Sequence, residues 1–335
     1  PSDMFATLGL RNLTQVSAYD YLEGKLDITP SFVEEFVDGA SRDNYGQDGA
    51  INALVDLVSL AGAGIAGSVF SLANGTTPIV GALLDAPAIP VRVATAVAAI
   101  EATSSRYRVS YQPSDGPPDE QRAGGAPSSL AAEEYDAVAV ATPLEVARGL
   151  KLLRSEVTVN ASRPYQRTCV TFVCGVVSPL YFGLGAAAHV PTELLTVENA
   201  SLPFTTLAVH ATLPNGSKVY KLFSRQPLSE PLLDKVFASR SRTRRLDWAA
   251  AYPQLRPSPP EQTWPPFEIP LRPPPTGAQS GAEVRSDGTA RPVLYVNAME
   301  SPVSCMETQL IAAKNAALRI VKLLDAQAAA QAAAA

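Results

Sequence analysis

Hydrophobic positions recur at two different spacings along the chain, and the change of spacing predicts a change from helices to strands. Over about the first eighty residues the spacing is helical, and Thr29-Pro30-Ser31 is typical of a helix start. The apolar residues at this spacing are Phe32, Phe36, Val37 and Ala40 in one segment and Ile51, Leu54, Val55 and Val58 in the next. We therefore expect this part of the chain to be mainly helical.

From Val91 onward the apolar period falls to two, which predicts strands. Short strands are expected at residues 91–94, 96–101, 106–111 and 135–141. The last of these is almost entirely apolar, which predicts burial on both faces of a sheet. A separate antiparallel sheet is expected from the segments 167–178, 204–213 and 218–224.

The C-terminal third predicts one helix, a loop, a strand and a second helix. The first helix is expected at 231–239, and the proline clusters of 253–292 predict an extended surface loop. A last strand at 293–297 precedes a long amphipathic helix from about Ser304 to Leu324. The Ala/Gln-rich tail after it, residues 326–335, is expected to fray.

Composition indicates a globular protein and argues against nucleic acid as a partner. Of the 335 residues, 46% are hydrophobic and 18% are charged, enough apolar material for one large domain or two. The 27 Lys and Arg against 32 Asp and Glu give a net charge of −5, with no basic stripe to neutralise phosphates. No run of eighteen uncharged apolar residues occurs, so we expect no transmembrane segment, which is compatible with peripheral association with a membrane.

Histidine and cysteine are too few and too scattered to predict a metal site. The chain has two histidines, His189 and His210, and three cysteines, and none stands at a spacing typical of zinc ligands. Cys169 and Cys174 lie five positions apart in a strand-like run, which puts them on opposite faces and disfavours a disulfide. We interpret the three thiols as buried apolar residues and assign neither histidine a catalytic role.

Five of the nine asparagines begin an Asn-x-Ser/Thr sequence, where chance gives about one. The predicted N-glycosylation sites are Asn12, Asn74, Asn160, Asn199 and Asn215. This excess favours a protein of the secretory-pathway lumen.

Residues 62–67 match the pattern G-x-G-x-x-G of dinucleotide-binding turns. That pattern needs a β-strand before it and an unbroken helix after it, because the turn must present a helix N-terminus to the pyrophosphate. Residues 50–61 have helical periodicity instead, and 74–78 interrupt the chain soon afterwards, although Asp85 lies about twenty residues on. We therefore favour a Gly-rich transition from helix to loop.

Two segments carry a resemblance to known flavoproteins. Residues 134–143, Glu-Tyr-Asp-Ala-Val-Ala-Val-Ala-Thr-Pro, are similar to a late strand of two-dinucleotide-binding flavoproteins. Residues 294–300, 304–307 and 311–318 resemble the last flavin-contacting strand and helix of the prenylcysteine oxidase family. Shorter matches to that family, in the same order, are Asn-Tyr-Gly-Gln at 44–47, Val-Ser-Leu-Ala-Gly-Ala at 58–63, Tyr-Phe-Gly at 181–183, and Trp248 to Pro253.

The resemblance implies an α/β chain with a two-dinucleotide-binding-type flavoprotein oxidase fold, incomplete at its N-terminus, and a mixed substrate domain. The implied activity is FAD-dependent cleavage of the thioether of farnesyl- or geranylgeranyl-cysteine by O2, giving cysteine, a prenyl aldehyde and H2O2, in a lysosome or vacuole. The expected division is residues 1–85 and 151–289 in the substrate domain, 86–150 and 290–325 in the FAD domain, and 326–335 as a tail.

The resemblance also implies site residues. Those expected to bind the cofactor are Val97, Ala141, Thr142, Pro143, Glu300, Met306 and Glu307. The backbone N–H of Met306, at the start of the last helix, is expected to face the flavin N1/O2 edge. An apolar substrate pocket is expected from Phe32, Phe36, Phe172, Tyr181 and Phe182. No catalytic acid or base and no charged anchor for the amino-acid end can be named.

Two departures from the family leave alternatives open. The family's N-terminal strand, Gly-rich turn and first helix have no counterpart before Pro1, and residues 72–76 keep only Gly75 of a turn that approaches the flavin. The chain is thus expected to correspond to the C-terminal two-thirds of such an enzyme. The alternatives are a non-catalytic, cofactor-less relative or fragment that binds lipid or protein, and an amine or polyene oxidase of the same superfamily.

Overall fold

A computed structural model describes residues 1–62, 72–85, 89–113, 130–147, 149–157, 163–262, 264–274 and 290–334. Over these residues the chain is a mixed α/β protein with three sheets. The N-terminal part is helical, as the spacing of apolar residues predicted, and the helix expected after Thr29 begins at Pro30. Residues 63–67 of the glycine motif and Asn160 lie outside the described residues.

Seven α-helices and five shorter 3-10 or π turns occur in the part of the chain that the structure describes. The α-helices are α1 Ser2–Thr7, α2 Pro30–Phe32, α3 Asp38–Tyr45, α4 Ala53–Gly62, α5 Thr77–Asp85, α6 Glu230–Val236 and α7 Met306–Ala334. The short turns are Arg11–Thr14, Asp20–Lys25, Val33–Val37, Pro179–Phe182 and Val296–Glu300. α7 continues through the Ala/Gln tail, so the expectation that this tail frays was wrong; alanine and glutamine are strong helix formers.

Twelve strands form the three sheets of the described residues. They are β1 Thr95–Ala102, β2 Tyr107–Pro113, β3 Ala131–Tyr135, β4 Ala139–Val140, β5 Lys151–Leu152, β6 Tyr165–Val177, β7 Glu193–Leu195, β8 Thr206–Thr212, β9 Lys218–Ser224, β10 Phe237–Pro253, β11 Glu268–Leu271 and β12 Arg291–Tyr295. Their orders are β3-β2-β1-β5, β10-β6-β9-β8-β7 and β11-β12-β4. The five-stranded sheet is antiparallel and separate, as predicted for β6, β8 and β9.

One of the predicted strands is absent and another is divided. Residues 91–94 form no strand, and Val93 is 81% exposed. The run 135–141 is divided: Tyr135 ends β3, the chain crosses to another sheet, and only Ala139–Val140 forms β4. Arg106 holds the crossing by two hydrogen bonds to the Asp136 carboxylate, at 2.9 and 3.3 Å. Ala139 is exposed, so β4 is not buried on both faces.

The segment between α6 and β12 was also mispredicted. The helix expected at 231–239 ends at Val236, and β10 follows directly. β10 was missed because charged residues occupy many of its positions, so its apolar alternation is weak. The proline-rich segment is a surface loop only in part, because β11 lies within it and its Ile269 and Leu271 are fully buried. Residues 275–289 lie outside the described residues.

The helical region carries a buried acid with no cation to balance it. Asp56 on α4 is fully buried; its Oδ1 accepts a 2.5 Å hydrogen bond from Ser41 Oγ on α3, and its Oδ2 has no partner in the described structure. Burial, together with the nearby Asp38 and against the Ser41 hydrogen bond, raises the pKa of Asp56 to about 6. An unfolded chain would have the ordinary value of 3.8.

Asp56→Asn is therefore expected to flatten the pH dependence of folding. Because the folded-state pKa is the higher one, ionised Asp56 costs about 3 kcal/mol above pH 6, and this cost disappears as the pH falls through 6 towards 4. The variant should be more stable than wild type at pH 7.5. Wild type should become more stable as the pH falls from 6 towards 4, and the variant should lack this increase. Urea unfolding from pH 4 to 8 measures the free energy of unfolding of both proteins. The exposed Asp85→Asn is the control; a wild-type slope in Asp56→Asn would contradict the assignment.

Candidate functional site

The two segments that resemble flavoproteins meet at one end of the three-stranded sheet. β4 and β12 are parallel neighbours, with Ala139 opposite Leu294 and Val140 opposite Tyr295. The chain therefore leaves both strands at the same edge, through 141–143 after β4 and 296–300 after β12. In α/β sheets, ligands bind outside the carboxyl ends of the parallel strands. We call this edge, with the start of α7, the β4/β12 junction.

A largely buried arginine, Arg163, ties the two sides of the β4/β12 junction together. Arg163 Nε lies 2.7 Å from Glu145 Oε1, and an Arg163 Nη donates to the backbone carbonyl of Glu300 at 3.0 Å. The Glu300 carboxylate lies 3.9 Å from the second Nη. The side chains of Glu145 and Arg163 are 4% and 18% exposed. One cation thus serves two acids, one from each segment.

Tyrosines complete this network. Tyr165 on β6 donates its hydroxyl to Glu300 Oε2 at 3.1 Å, and Ser304 Oγ donates to Oε1 at 3.3 Å. The Leu144 N–H donates to the Tyr295 hydroxyl at 3.2 Å, which joins the two segments a second time. Burial raises the pKa of Tyr295 to about 12. Burial, and then Glu300 and Glu145, raise the pKa of Tyr165, so both phenols stay protonated at neutral pH.

An open apolar cleft of about 500 Å³ lies beside β4, between the three- and four-stranded sheets. Val97 of β1, Ala141 and Thr142 line it, so the structure brings three of the predicted cofactor residues together, with Pro143 next in sequence. β4 is an edge strand of its sheet among the described residues. The cleft therefore has apolar walls and adjoins backbone groups that no strand pairs.

Of the other three predicted cofactor residues, Met306 and Glu307 begin α7, and Glu300 ends the short turn before it. Met306 is 60% exposed, Glu307 is also exposed, and the first intrahelical bond of this end runs from Gln309 N to Cys305 O at 3.1 Å. The N–H groups before it, including that of Met306, have no intrahelical acceptor. Glu300 is different from its neighbours, because Tyr165, Ser304 and Arg163 already occupy its carboxylate.

The five aromatic residues predicted to line one substrate pocket lie in three places. Phe32 and Phe36 stack on each other at 5.2 Å and are 46% and 39% exposed. Tyr181 and Phe182 pack against the core under the five-stranded sheet. Phe172 lies on the opposite face of that sheet, since its neighbour Val173 belongs to the same core.

Sequence reasoning missed Arg163, Glu145 and Tyr165. Their partners lie up to 137 residues away along the chain, and no local pattern couples them. The only hint is that Glu145 follows the Ala-Thr-Pro turn by two residues, where an isolated acid needs a distant cation to be buried.

Comparison with known proteins decides the family. The family model described as prenylcysteine lyase matches residues 2–270. The chain belongs to the prenylcysteine lyase family. Similar relatives are the farnesylcysteine lyase of Arabidopsis thaliana, 29% identical over 315 residues, and the prenylcysteine oxidase 1-like protein of Bos taurus, 26% identical over 325. The alignments cover 93% and 92% of this chain, but 54% and 58% of those relatives.

Prenylcysteine oxidase 1 of Mus musculus is 26% identical over 306 residues, which cover 88% of this chain and 54% of that relative. The chain thus spans somewhat more than half the length of the relatives it matches. The family membership confirms the family that the sequence was predicted to resemble, and the mixed α/β architecture agrees with the fold class at the same coarse level.

Other chemistry-bearing residues are dispersed. Cys169, Cys174 and Cys305 are free thiols; only Cys169 is buried, so the expectation of three buried thiols was wrong for the other two. The structure describes no cluster of three His, Cys, Asp or Glu side chains that could hold a metal ion. Within the described ranges no helix has the length and apolarity to cross a membrane.

Arg163→Met is expected to destabilise the β4/β12 junction by about 3 kcal/mol, because it leaves two buried carboxylates without their cation. Urea unfolding at pH 7 measures the loss. Adding Glu145→Gln to this variant should recover part of it, since one of the two charges is then gone.

The matched control is Arg167→Gln, which breaks the exposed pair with Asp247, where both side chains are about half exposed. This control should cost much less, because an exposed ion pair contributes little to stability. Equal losses in Arg163→Met and Arg167→Gln would contradict the role given to Arg163.

Proposed function

We propose that this chain forms the greater part of a flavin-dependent oxidase that cleaves the thioether of prenylcysteines. The observation that carries this proposal is the β4/β12 junction, where both flavoprotein-like segments leave adjacent parallel strands and share Arg163. Family membership and relatives named farnesylcysteine lyase and prenylcysteine oxidase support the substrate class.

The residues at the junction fit a flavin nucleotide on two counts. The cleft beside β4 has apolar walls suited to a flat ring system, and its volume of about 500 Å³ lies in the range of cofactor and ligand sites. The exposed first turn of α7 offers N–H groups and a positive helix end for an electron-rich ring edge. FAD, when bound, would supply the acceptor for the electron pair removed from the substrate.

The chain's own residues would position the cofactor and exclude water, and they would not transfer protons. Val97, Ala141 and Thr142 would hold the cofactor by apolar and backbone contacts, and the Met306 N–H would stabilise negative charge on the ring. Oxidation of the carbon next to sulfur lets water add there and the carbon–sulfur bond break. The balance is thioether, O2 and water to cysteine, prenyl aldehyde and H2O2.

We further propose residence in a secretory-pathway compartment, either lysosome or vacuole. Asn12, Asn74, Asn199 and Asn215 are exposed, as glycosylation requires. The exposed glycosylation sequence at Asn74 favours a second candidate, a non-catalytic glycosylated binding protein. Asn74 lies in the exposed turn 72–76, where Gly75 has a φ of +76°. This turn stands at the site of the family's flavin-approaching turn.

Peroxide release tests the oxidase proposal. Protein supplied with FAD and farnesylcysteine should produce H2O2, cysteine thiol and aldehyde in equal amounts, with oxygen consumed in proportion. S-Ethylcysteine, which lacks the allylic carbon, should react far more slowly. Flavin that stays bound without any peroxide would contradict the oxidase and favour the binding protein.

Met306→Pro isolates the backbone N–H at the start of α7. Proline is tolerated at the first helical position but lacks the N–H, whereas Met306→Ala keeps it. The proline variant should lose about tenfold or more in peroxide release, because one preorganised donor to developing charge is gone, and the alanine variant should keep wild-type activity. Equal rates in the two variants, at equal thermal stability, would rule out this donor.

A further inference from the structure

The five-stranded sheet has one packed face and one face that is open over half its length. Val173, Leu207 and Leu222 are fully buried in the core that α6 covers. Because side chains alternate along a strand, their sequence neighbours Phe172 and Lys221 lie on the opposite face. Arg242 and Arg244 share that face, and we call it the open face.

The strand register arranges the open face in two rows. Arg244, Phe172, Lys221 and Ala208 are consecutive cross-strand partners from β10 to β8. Cys174 and Val219 continue the next row from Arg242. Each row thus begins with an arginine: the first continues over Phe172, Lys221 and Ala208, and the second over Cys174 and Val219.

Arg242 and Arg244 differ from every other arginine that the structure describes. Each of the others has an ion pair, a hydrogen bond or a ring contact, including Arg240 and Arg245 on the same strand, which pair with Asp234 and Glu230. Arg242 and Arg244 have no partner among the described residues and are both exposed. Two residues apart on one strand, they lie about 7 Å apart.

A groove of about 680 Å³ runs beside these two arginines. Phe172, Cys174, Val219 and Leu213 form the apolar part of its lining, and Asn215, Ser217, Ser241 and Thr243 form the uncharged polar part. Phe172 also contacts the His210 ring, with ring centroids 5.1 Å apart. The groove therefore combines an apolar strip and neutral polar groups with two unpaired guanidinium groups at one rim.

Charge on the open face is positive although the whole chain is acidic. Lys221 lies in the same row as Arg244, with its Nζ 4.2 Å from the Phe223 ring centroid. The acid nearest in register is Glu193, opposite Ala208 on the far edge strand β7. The rim that carries the arginines thus attracts an anion.

We propose that this groove binds a carboxylate-headed amphiphile, with the carboxylate on Arg242 and Arg244 and the apolar chain along Phe172 and Val219. This inference rests on the proposed function, in which the ligand is the prenylcysteine itself. Its amino-acid end needs a charged anchor, and the aromatic residues predicted from the sequence supply none. Paired guanidinium groups are the donors best matched to a carboxylate.

Calorimetric titration with farnesylcysteine below its micelle concentration tests the groove without any flavin turnover. Glycosylated and deglycosylated protein are both titrated, because Asn215, a predicted glycosylation site, lines the groove. Binding by the deglycosylated protein alone would overturn the groove as a site of the native protein. The double variant Arg242→Gln/Arg244→Gln should bind about tenfold more weakly than wild type, through loss of charge-assisted bonds. Arg245→Gln, on the same strand but on the packed face, is the matched control and should bind within twofold of wild type.

Binding of the methyl ester of farnesylcysteine separates the contribution of the carboxylate from that of the prenyl chain. Wild type should bind this ester about tenfold more weakly than the acid, and the double variant should bind both alike. Equal affinity of wild type and the double variant for the acid would overturn the proposed binding site. No binding of the acid or the ester by wild type, or binding only to anionic vesicles, would overturn it as well.

Peroxide release separates the two proposals. If the groove binds farnesylcysteine but no peroxide forms, the binding site stands and the oxidase is contradicted. If peroxide forms and the double variant has an unchanged KM, the oxidase stands and the binding site is contradicted.

Discussion

The β4/β12 junction depends on one buried cation shared by two acids. Arg163 reaches Glu145 after β4 and Glu300 after β12, and neither acid could be buried here without it. The arrangement fixes the distance between two segments that lie more than 150 residues apart in sequence. A flavin bound at this edge would touch both segments, so their relative position decides whether the cleft and the start of α7 can act on one ligand.

Because β4 and β12 pair over only two residues, the Arg163 contacts are needed to hold the two segments together. β4 contributes only two residues, and it joins its sheet through β12 alone among the described residues. Two ladder positions hold a strand weakly, so the hydrogen bond of Leu144 to Tyr295 and the Arg163 network supply much of the local order. The five-stranded sheet is different: β6 and β10 pair along most of their length and present a stable wall with an open face.

The sequence predicted what local periodicity controls. The helices before residue 80, the strands β6, β8 and β9, and the start of α7 follow from apolar spacing. The sequence predictions failed where tertiary contacts decide the structure. Asp136 is held by Arg106, which divides a run that looks like one strand. Ile269 is buried in the core and so makes part of the proline-rich segment a strand. The roles that the resemblance implies for Thr142 and Met306 stay predictions, and no local pattern indicates Arg163, whose partners are brought together only by folding.

Flavin retention measures the central claim most directly. The visible absorption spectrum is recorded after the protein has been incubated with FAD and desalted, for wild type and for Thr142→Trp, which fills the cleft beside β4 from an exposed position. Thr212→Trp, on the distant sheet, is the control. Flavin bands are expected to stay with wild type and with the control and to be lost in Thr142→Trp. Wild type without flavin, or equal retention in Thr142→Trp, would contradict the central claim.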